Sequence, residues 1–153
     1  MSIGACPVID EYSAFQVTSC LQDALKTGSA KKATTLYDLG DYPVAGKTGT
    51  EYGFTDNWFV GYTSEVTCAV WAGFDKTKQI YPLAFSSDTV LPVWTEVMNA
   101  ATETYPPQEF TPPSDADEVE VCTHSGELAT NDCFEINQNG AAATQVRTTF
   151  IEY

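Results

Sequence analysis

Lys47, Thr48, Gly49 and Thr50 put one cation and two hydroxyls into four consecutive positions, within a run from Val44 to Thr50 that reads as a strand. A cation beside hydroxyls is a set that can hold a carboxylate through charge-assisted hydrogen bonds. Side chains alternate along a strand, so Lys47 and Gly49 should face one way and Thr48 and Thr50 the other. Gly49 lets a second backbone approach closely, and an extended peptide could add to this strand as a further strand of its sheet. A nucleophile is harder to place. Ser29-Ala30-Lys31-Lys32 is the one Ser-x-x-Lys spacing in the chain, and that motif needs a helical turn to bring the amine onto the serine as its base. Here it follows Gly28, which reads as a helix stop, so no catalytic role is expected of Ser29. His124 is the only histidine and reads as an exposed loop residue. Cys122, His124 and Cys133 offer three ligand types suited to zinc without a fourth, so neither a metal nor another cofactor is expected.

The elements that must position the triplet are legible. Ser13 to Gln16 has the spacing of a capping box. Val17, Cys20, Leu21, Ala24 and Leu25 then recur at helical spacing, and Gly28 is placed to supply a left-handed cap. The pattern predicts a helix over 13–27. Strands are predicted over Pro43–Glu51, Asn57–Thr63 and Glu65–Phe74, rich in β-branched and aromatic residues. The connections between them are short, which fits antiparallel hairpins and leaves no room for a parallel crossover. A second helix is predicted over Leu91–Thr104, with Pro92 in its first turn and Val90, Leu91, Trp94, Val97, Met98 and Ala101 on one side. Trp58, Trp71, Trp94, Cys20 and Cys68 read as core residues. Beyond Tyr105 a Pro-rich and then acidic segment marks a boundary, so residues 1–104 form one part and 105–153 an irregular Cys-containing tail.

Composition bounds the partners. Of the 153 residues, 43% are hydrophobic and 12% aromatic, enough for a packed core. The balance of 7 Lys+Arg against 21 Asp+Glu gives a net charge of −14, which disfavours nucleic acid and anionic membranes. No stretch approaches the roughly 20 apolar residues of a membrane span. The N-terminus has neither the basic nor the apolar region of a signal peptide.

Several motifs in order carry a resemblance. They are Phe15 to Ser19, Lys26 to Ala33, Val44 to Thr50, Asp56-Asn57-Trp58-Phe59-Val60-Gly61-Tyr62-Thr63, Ala69 to Asp75, Pro92-Val93-Trp94, and Cys122-Thr123-His124-Ser125-Gly126-Glu127-Leu128-Ala129-Thr130 followed by Cys133. Together they resemble the C-terminal part of the transpeptidase domain of class A penicillin-binding proteins, over about residues 12–150. Lys-Thr-Gly is one of the three active-site signatures of serine acyltransferases that react with penicillin. The other two, Ser-x-x-Lys on a helix and Ser-x-Asn, are not found here.

The resemblance implies an α+β, partial β-lactamase/transpeptidase-like fold, an antiparallel three-stranded meander flanked by helices. It implies part of a peptidoglycan D,D-transpeptidase, inactive alone for want of the serine nucleophile. Lys47 and Thr50 would be catalytic, Thr50 through its backbone N–H as an oxyanion donor. Lys47, Thr48, Gly49 and Thr50 would bind the substrate. Partners would be peptidoglycan stem peptides and β-lactams once the missing half is supplied, and further an N-terminal partner fragment or a second copy in a homo-oligomer. The implied location is the extracytoplasmic face of the bacterial inner membrane. In the tail, a Cys122–Cys133 disulfide is expected if the compartment is oxidising, with five cysteines leaving at least one unpaired. A non-enzymatic remnant that binds D-alanyl peptides or a partner protein along the Lys47 strand is the alternative.

Overall fold

The computed structural model describes residues 8–122, 125, 127–130 and 146–151. They form two compact units, one of residues 17–110 and one drawn from the segments up to 16 and from 111 onward. The chain runs through α1 (Glu11–Lys26), α2 (Lys32–Thr35), β1 (Ala45–Thr50), β2 (Asp56–Tyr62), β3 (Thr67–Gly73), α3 (Ser86–Thr89), α4 (Leu91–Thr104), β4 (Asp117–Cys122) and β5 (Val146–Ile151).

β1, β2 and β3 form the expected antiparallel meander in the order β1-β2-β3. Its registers run from Ala45↔Tyr62 to Thr50↔Asn57 and from Asp56↔Gly73 to Tyr62↔Thr67. β2 alternates cleanly, with Asn57, Phe59 and Gly61 turned inward and Trp58 and Val60 outward. The inward residues meet α4, whose buried stripe is Leu91, Trp94, Thr95 and Met98. Phe59 and Trp94 pack with ring centroids 4.5 Å apart. The Trp94 indole N–H donates to the Cys68 carbonyl at 3.2 Å, tying the helix to β3. Leu25, Ala30, Ala33, Leu39, Val44, Val90, Leu91 and Met98 complete this core.

Several expectations need correction. Trp58 and Trp71 are not core residues. They are 46% and 43% exposed and pair on the outer face of the sheet, 6.3 Å apart. Val97 is also half exposed, and Thr95 takes the buried position by turning its hydroxyl back onto the Leu91 carbonyl. On α1, Cys20 and Val17 are exposed, while Thr18 and Leu25 are the buried pair. Thr18 found no place in an apolar pattern because it is buried as a polar group, bonded to the Tyr62 hydroxyl at 2.8 Å.

Both ends of α1 differ from expectation. The Ser13 N–H donates to Asp10 Oδ1 at 2.8 Å, so Asp10 is the cap and Ser13 lies inside the first turn. Gly28 does not adopt the left-handed conformation. A glycine is needed there because a Cβ would stand 2.8 Å from the Ala24 backbone. The tail is not irregular throughout: β4 pairs antiparallel with β5 from Asp117↔Ile151 to Cys122↔Val146. Glu118-Val119-Glu120-Val121 is a period-two pattern that the surrounding acidic residues concealed. His124 and Cys133, and with Cys133 the expected disulfide, lie outside the described residues. Among the described residues no helix is long and apolar enough to cross a membrane.

Two predictions follow from the packing. A Cβ on Gly61 would stand 2.4 Å from Trp94 Cζ2, a ring with no room to retreat. Gly61→Ala should cost about 1–3 kcal/mol, the range for overpacking a filled core, read as a lower urea midpoint at unchanged slope. The second concerns Asp10. The Ser13 amide bond holds the Asp10 carboxyl below its ordinary value of 3.8. A depressed folded-state value gives stability that is present above 3.8 and lost as pH falls through the lower, folded value. Asp10→Asn keeps a capping oxygen but has nothing to titrate. Between pH 5 and 2 its stability should therefore fall less steeply than that of the wild type in parallel denaturation curves.

Candidate active site

β1 forms one edge of the three-stranded sheet. The Glu51 N–H donates to the Asp56 carbonyl at 3.0 Å, which fixes the phase of the ladder. In an antiparallel pair, hydrogen-bonded and non-bonded residues alternate. That phase aims the backbone groups of Thr48 and Thr50 at the open edge. The Thr50 N–H is therefore placed as a donor on the side an added strand would occupy.

The side chains divide as alternation requires. Gly46, Thr48 and Thr50 lie opposite Gly61, Phe59 and Asn57, on the inward face, and Lys47 and Gly49 lie opposite Val60 and Trp58, on the outward one. The amine of Lys47 nevertheless ends among the threonine groups. The exposed side chain wraps around the open edge, and Nζ stands 3.3 Å from both the Thr48 carbonyl and Thr48 Oγ1. It also donates to Ser29 Oγ at 3.4 Å. Ser29 and Thr48 share a hydrogen bond of 2.8 Å. Among the described residues the partners of Lys47 are all neutral oxygens, and the ion pair found is that of Lys32 with Asp88. Among the described residues the charge of Lys47 thus stands uncompensated.

Thr50 is held differently. It accepts from the Ser86 N–H at 3.1 Å and shares a 2.7 Å bond with Ser86 Oγ, while Ser86 Oγ donates to the Gly49 carbonyl at 2.7 Å. Ser86 is fully buried. With its own proton on Gly49, it takes the proton of Thr50, and the Thr50 hydroxyl is spent as a donor. Asn57, opposite Thr50, supports the same segment by donating to the Ala84 carbonyl at 2.7 Å and to Thr89 Oγ1 at 2.8 Å.

Beyond Thr50 a cavity of about 470 Å³ is lined by Thr50, Glu51, Tyr52, Phe54 and Phe85. Phe54 adopts a φ of 56°, unusual for a bulky side chain. Its ring meets Phe85 edge-on at 5.2 Å, and its carbonyl accepts from the Ile80 N–H at 2.9 Å. A second cavity, of about 380 Å³, is bordered by Leu25, Lys26, Asp41, Tyr42 and Glu109 and touches none of the triplet.

The structure therefore gathers Lys47 and Thr48 into one cluster with Ser29 and sets Thr50 apart with Ser86. Ser29 was singled out by its spacing to Lys32. That lysine turns to Asp88, and the lysine that reaches Ser29 is Lys47. Ser86 carried no signal, because nothing in a Ser-Ser-Asp-Thr run shows which hydroxyl will be buried.

A three-stranded antiparallel sheet with Lys-Thr-Gly on its edge strand and helix α4 across one face is a partial β-lactamase/transpeptidase-like fold. The crystal structure of penicillin-binding protein 1A from Haemophilus influenzae matches 95% of this chain and 21% of its own with a TM-score of 0.74 at 21% identity. No family model matches the chain. Penicillin-binding protein 1A of Rickettsia prowazekii is 31% identical over 85% of this chain and 16% of its own length. The protein of that name from Clostridium perfringens is 32% identical over 90% of the chain and 17% of its length, and that of Pseudomonas aeruginosa is 35% identical over 65% and 12%. The chain is homologous to part of the transpeptidase domain of class A penicillin-binding proteins, and spans about a sixth of the first of these relatives.

Removing the Ser86 hydroxyl tests the Thr50 anchor. Ser86→Ala removes the hydroxyl that donates to the Gly49 carbonyl and accepts the Thr50 proton. It should cost about 0.5–1.5 kcal/mol, the net worth of a typical hydrogen bond, and Thr50 should lose its single side-chain rotamer in NMR coupling measurements.

Proposed function

We propose that this chain supplies one wall of a peptidoglycan D,D-transpeptidase centre, the wall that receives the carboxylate end of a D-alanyl-D-alanine peptide. The observation that carries the reading is the uncompensated Lys47 ammonium, gathered with the Thr48 hydroxyl at the open edge of β1. Relatives that bear the name penicillin-binding protein 1A support the choice of ligand. An extended peptide would add along the edge of β1, with Gly49 allowing close approach. Its terminal carboxylate would meet Lys47 and Thr48. As a serine attacks the carbonyl, the Thr50 N–H would donate to the developing oxyanion.

The serine comes from elsewhere. Ser29 is the one serine with Ser-x-x-Lys spacing, and its Lys32 is engaged by Asp88. The chain alone therefore performs no acyl transfer, and a segment carrying Ser-x-x-Lys and Ser-x-Asn completes the centre. In this reading the assembled enzyme works on the extracytoplasmic face of the inner membrane, where peptidoglycan is its substrate. A non-enzymatic protein that binds D-alanyl peptides along β1 is the second reading, favoured by the same open edge.

Fluorescent penicillin separates them. The chain alone should show no covalent label. Mixed with the nucleophile-bearing portion of a class A penicillin-binding protein, it should restore labelling of that portion's serine, and Lys47→Ala should abolish the gain. Labelling that never recovers, with D-alanyl peptide still bound by the chain alone, would select the second reading.

A further inference from the structure

We propose that Ser29 is a positioning residue for the carboxylate site, holding the Lys47 ammonium on the Thr48 side of β1. This rests on the reading that β1 receives a ligand carboxylate. Alternation alone sends Lys47 to the outward face and Thr48 to the inward one, and a cation and a hydroxyl on opposite faces cannot grip one carboxylate. The flexible lysine stem has to be drawn around the edge and kept there. Ser29 Oγ does this from outside the strand, accepting from Lys47 Nζ at 3.4 Å while it is bonded to Thr48 Oγ1 at 2.8 Å. The hydroxyl has both capacities at once, acceptor to the amine and partner to the threonine.

Ser29 can hold a mobile side chain because its own backbone is fixed on both sides. Gly28 packs so tightly on Ala24 that no Cβ fits. Ala30 is fully buried and donates its N–H to the Ala24 carbonyl at 2.9 Å, and the Lys31 N–H returns to the Gly28 carbonyl at 3.2 Å. The turn between α1 and α2 thus presents the exposed Ser29 hydroxyl at a set place beside the strand. Lys32, the lysine at Ser-x-x-Lys spacing, does not compete for it, since it is held by Asp88.

The test compares wild type, Ser29→Ala, Ser29→Thr and Ser29→Cys in the full chain by two readouts. The first is affinity for acetyl-D-Ala-D-Ala against its C-terminal amide. The second is the ¹⁵N signal and hydrogen-exchange rate of the Lys47 ammonium without ligand. Ser29→Ala should weaken binding of the acid about tenfold, the scale of one lost charge-assisted hydrogen bond, and leave the amide unchanged. It should also shift the Lys47 signal and speed its exchange, and Ser29→Thr should restore both. Ser29→Cys keeps the volume with a poor acceptor and should behave as Ser29→Ala, so loss of fold in the alanine variant does not decide the result. An unchanged Lys47 signal in both Ser29→Ala and Ser29→Cys overturns the inference. If the wild type does not prefer the acid to the amide, the carboxylate reading of β1 fails, and the Lys47 signal alone then decides whether Ser29 positions the amine.

Discussion

The arrangement of the larger unit depends on the seating of Trp94. Its ring fills the space over Gly61, lies against Phe59 and is bonded through its N–H to the carbonyl of Cys68. Truncating such a fully buried tryptophan generally costs about 3–5 kcal/mol, more than any single polar contact at the strand edge. The consequence for the site is indirect but short. With α4 fixed on β2 and β3, α3 immediately before it is fixed too, and α3 carries Ser86. Asn57, on the same inward face as Phe59, fastens the segment again through Ala84 and Thr89. The hydroxyl that holds Thr50 therefore inherits its position from an apolar contact in the core.

β1 is held from two directions in the chain. Thr48 is met by Ser29, 19 residues before it, and Thr50 by Ser86, 36 residues after it. The two serines have different surroundings and so different effects. Ser86 is buried, and its bonds with Gly49 and Thr50 satisfy all three groups. Such a closed network rigidifies. Ser29 is exposed, and its bonds leave an ammonium facing solvent with its charge unanswered. The strand is thereby stiff at its C-terminal end and chemically open two residues earlier. Within Lys-Thr-Gly-Thr, the second threonine gives its side chain to structure and only its backbone N–H to the edge.

The fold was legible wherever burial follows hydrophobicity. The three strands, their antiparallel order and helix α4, with Pro92 in its first turn, all follow from period and connection length. Reading failed where polar groups are buried or apolar ones are not. Thr18, Thr95 and Ser86 are inside because each hydroxyl has a partner; for Thr18 and Ser86 it lies far away in sequence, and for Thr95 it is the Leu91 carbonyl of the preceding helical turn, which an apolar pattern does not register. Trp58 and Trp71 read as core residues from the sequence, but strand parity puts them on the face opposite Phe59. Helices α2 and α3 have four residues each, too short for any period to show. At the site, the sequence places Lys47, Thr48 and Thr50 on one strand and correctly opposes their faces. What it cannot convey is a lysine turning an edge toward a serine 18 positions away, because that depends on how the α1–α2 turn meets the sheet.

The charge of the protein sets a further constraint on how such a site can work. A net charge of −14 repels a carboxylate ligand at long range, the opposite of electrostatic steering. At physiological ionic strength that field decays over about 8 Å, so capture has to be settled by contact. Four of the seven basic residues, Lys26, Lys31, Lys32 and Lys47, fall between the end of α1 and the middle of β1. Lys32 is paired with Asp88, while Lys47 is gathered with the Ser29 and Thr48 hydroxyls. In the proposed reading, recognition by one near cation, the Thr48 hydroxyl and edge amides would gain little for a general anion and much for a planar carboxylate on an extended backbone. An acidic surface around a small, locally cationic strand edge would then favour selectivity over speed of encounter. It also makes the position of that one ammonium matter more than it would in a basic cleft, where a neighbouring charge could take its place.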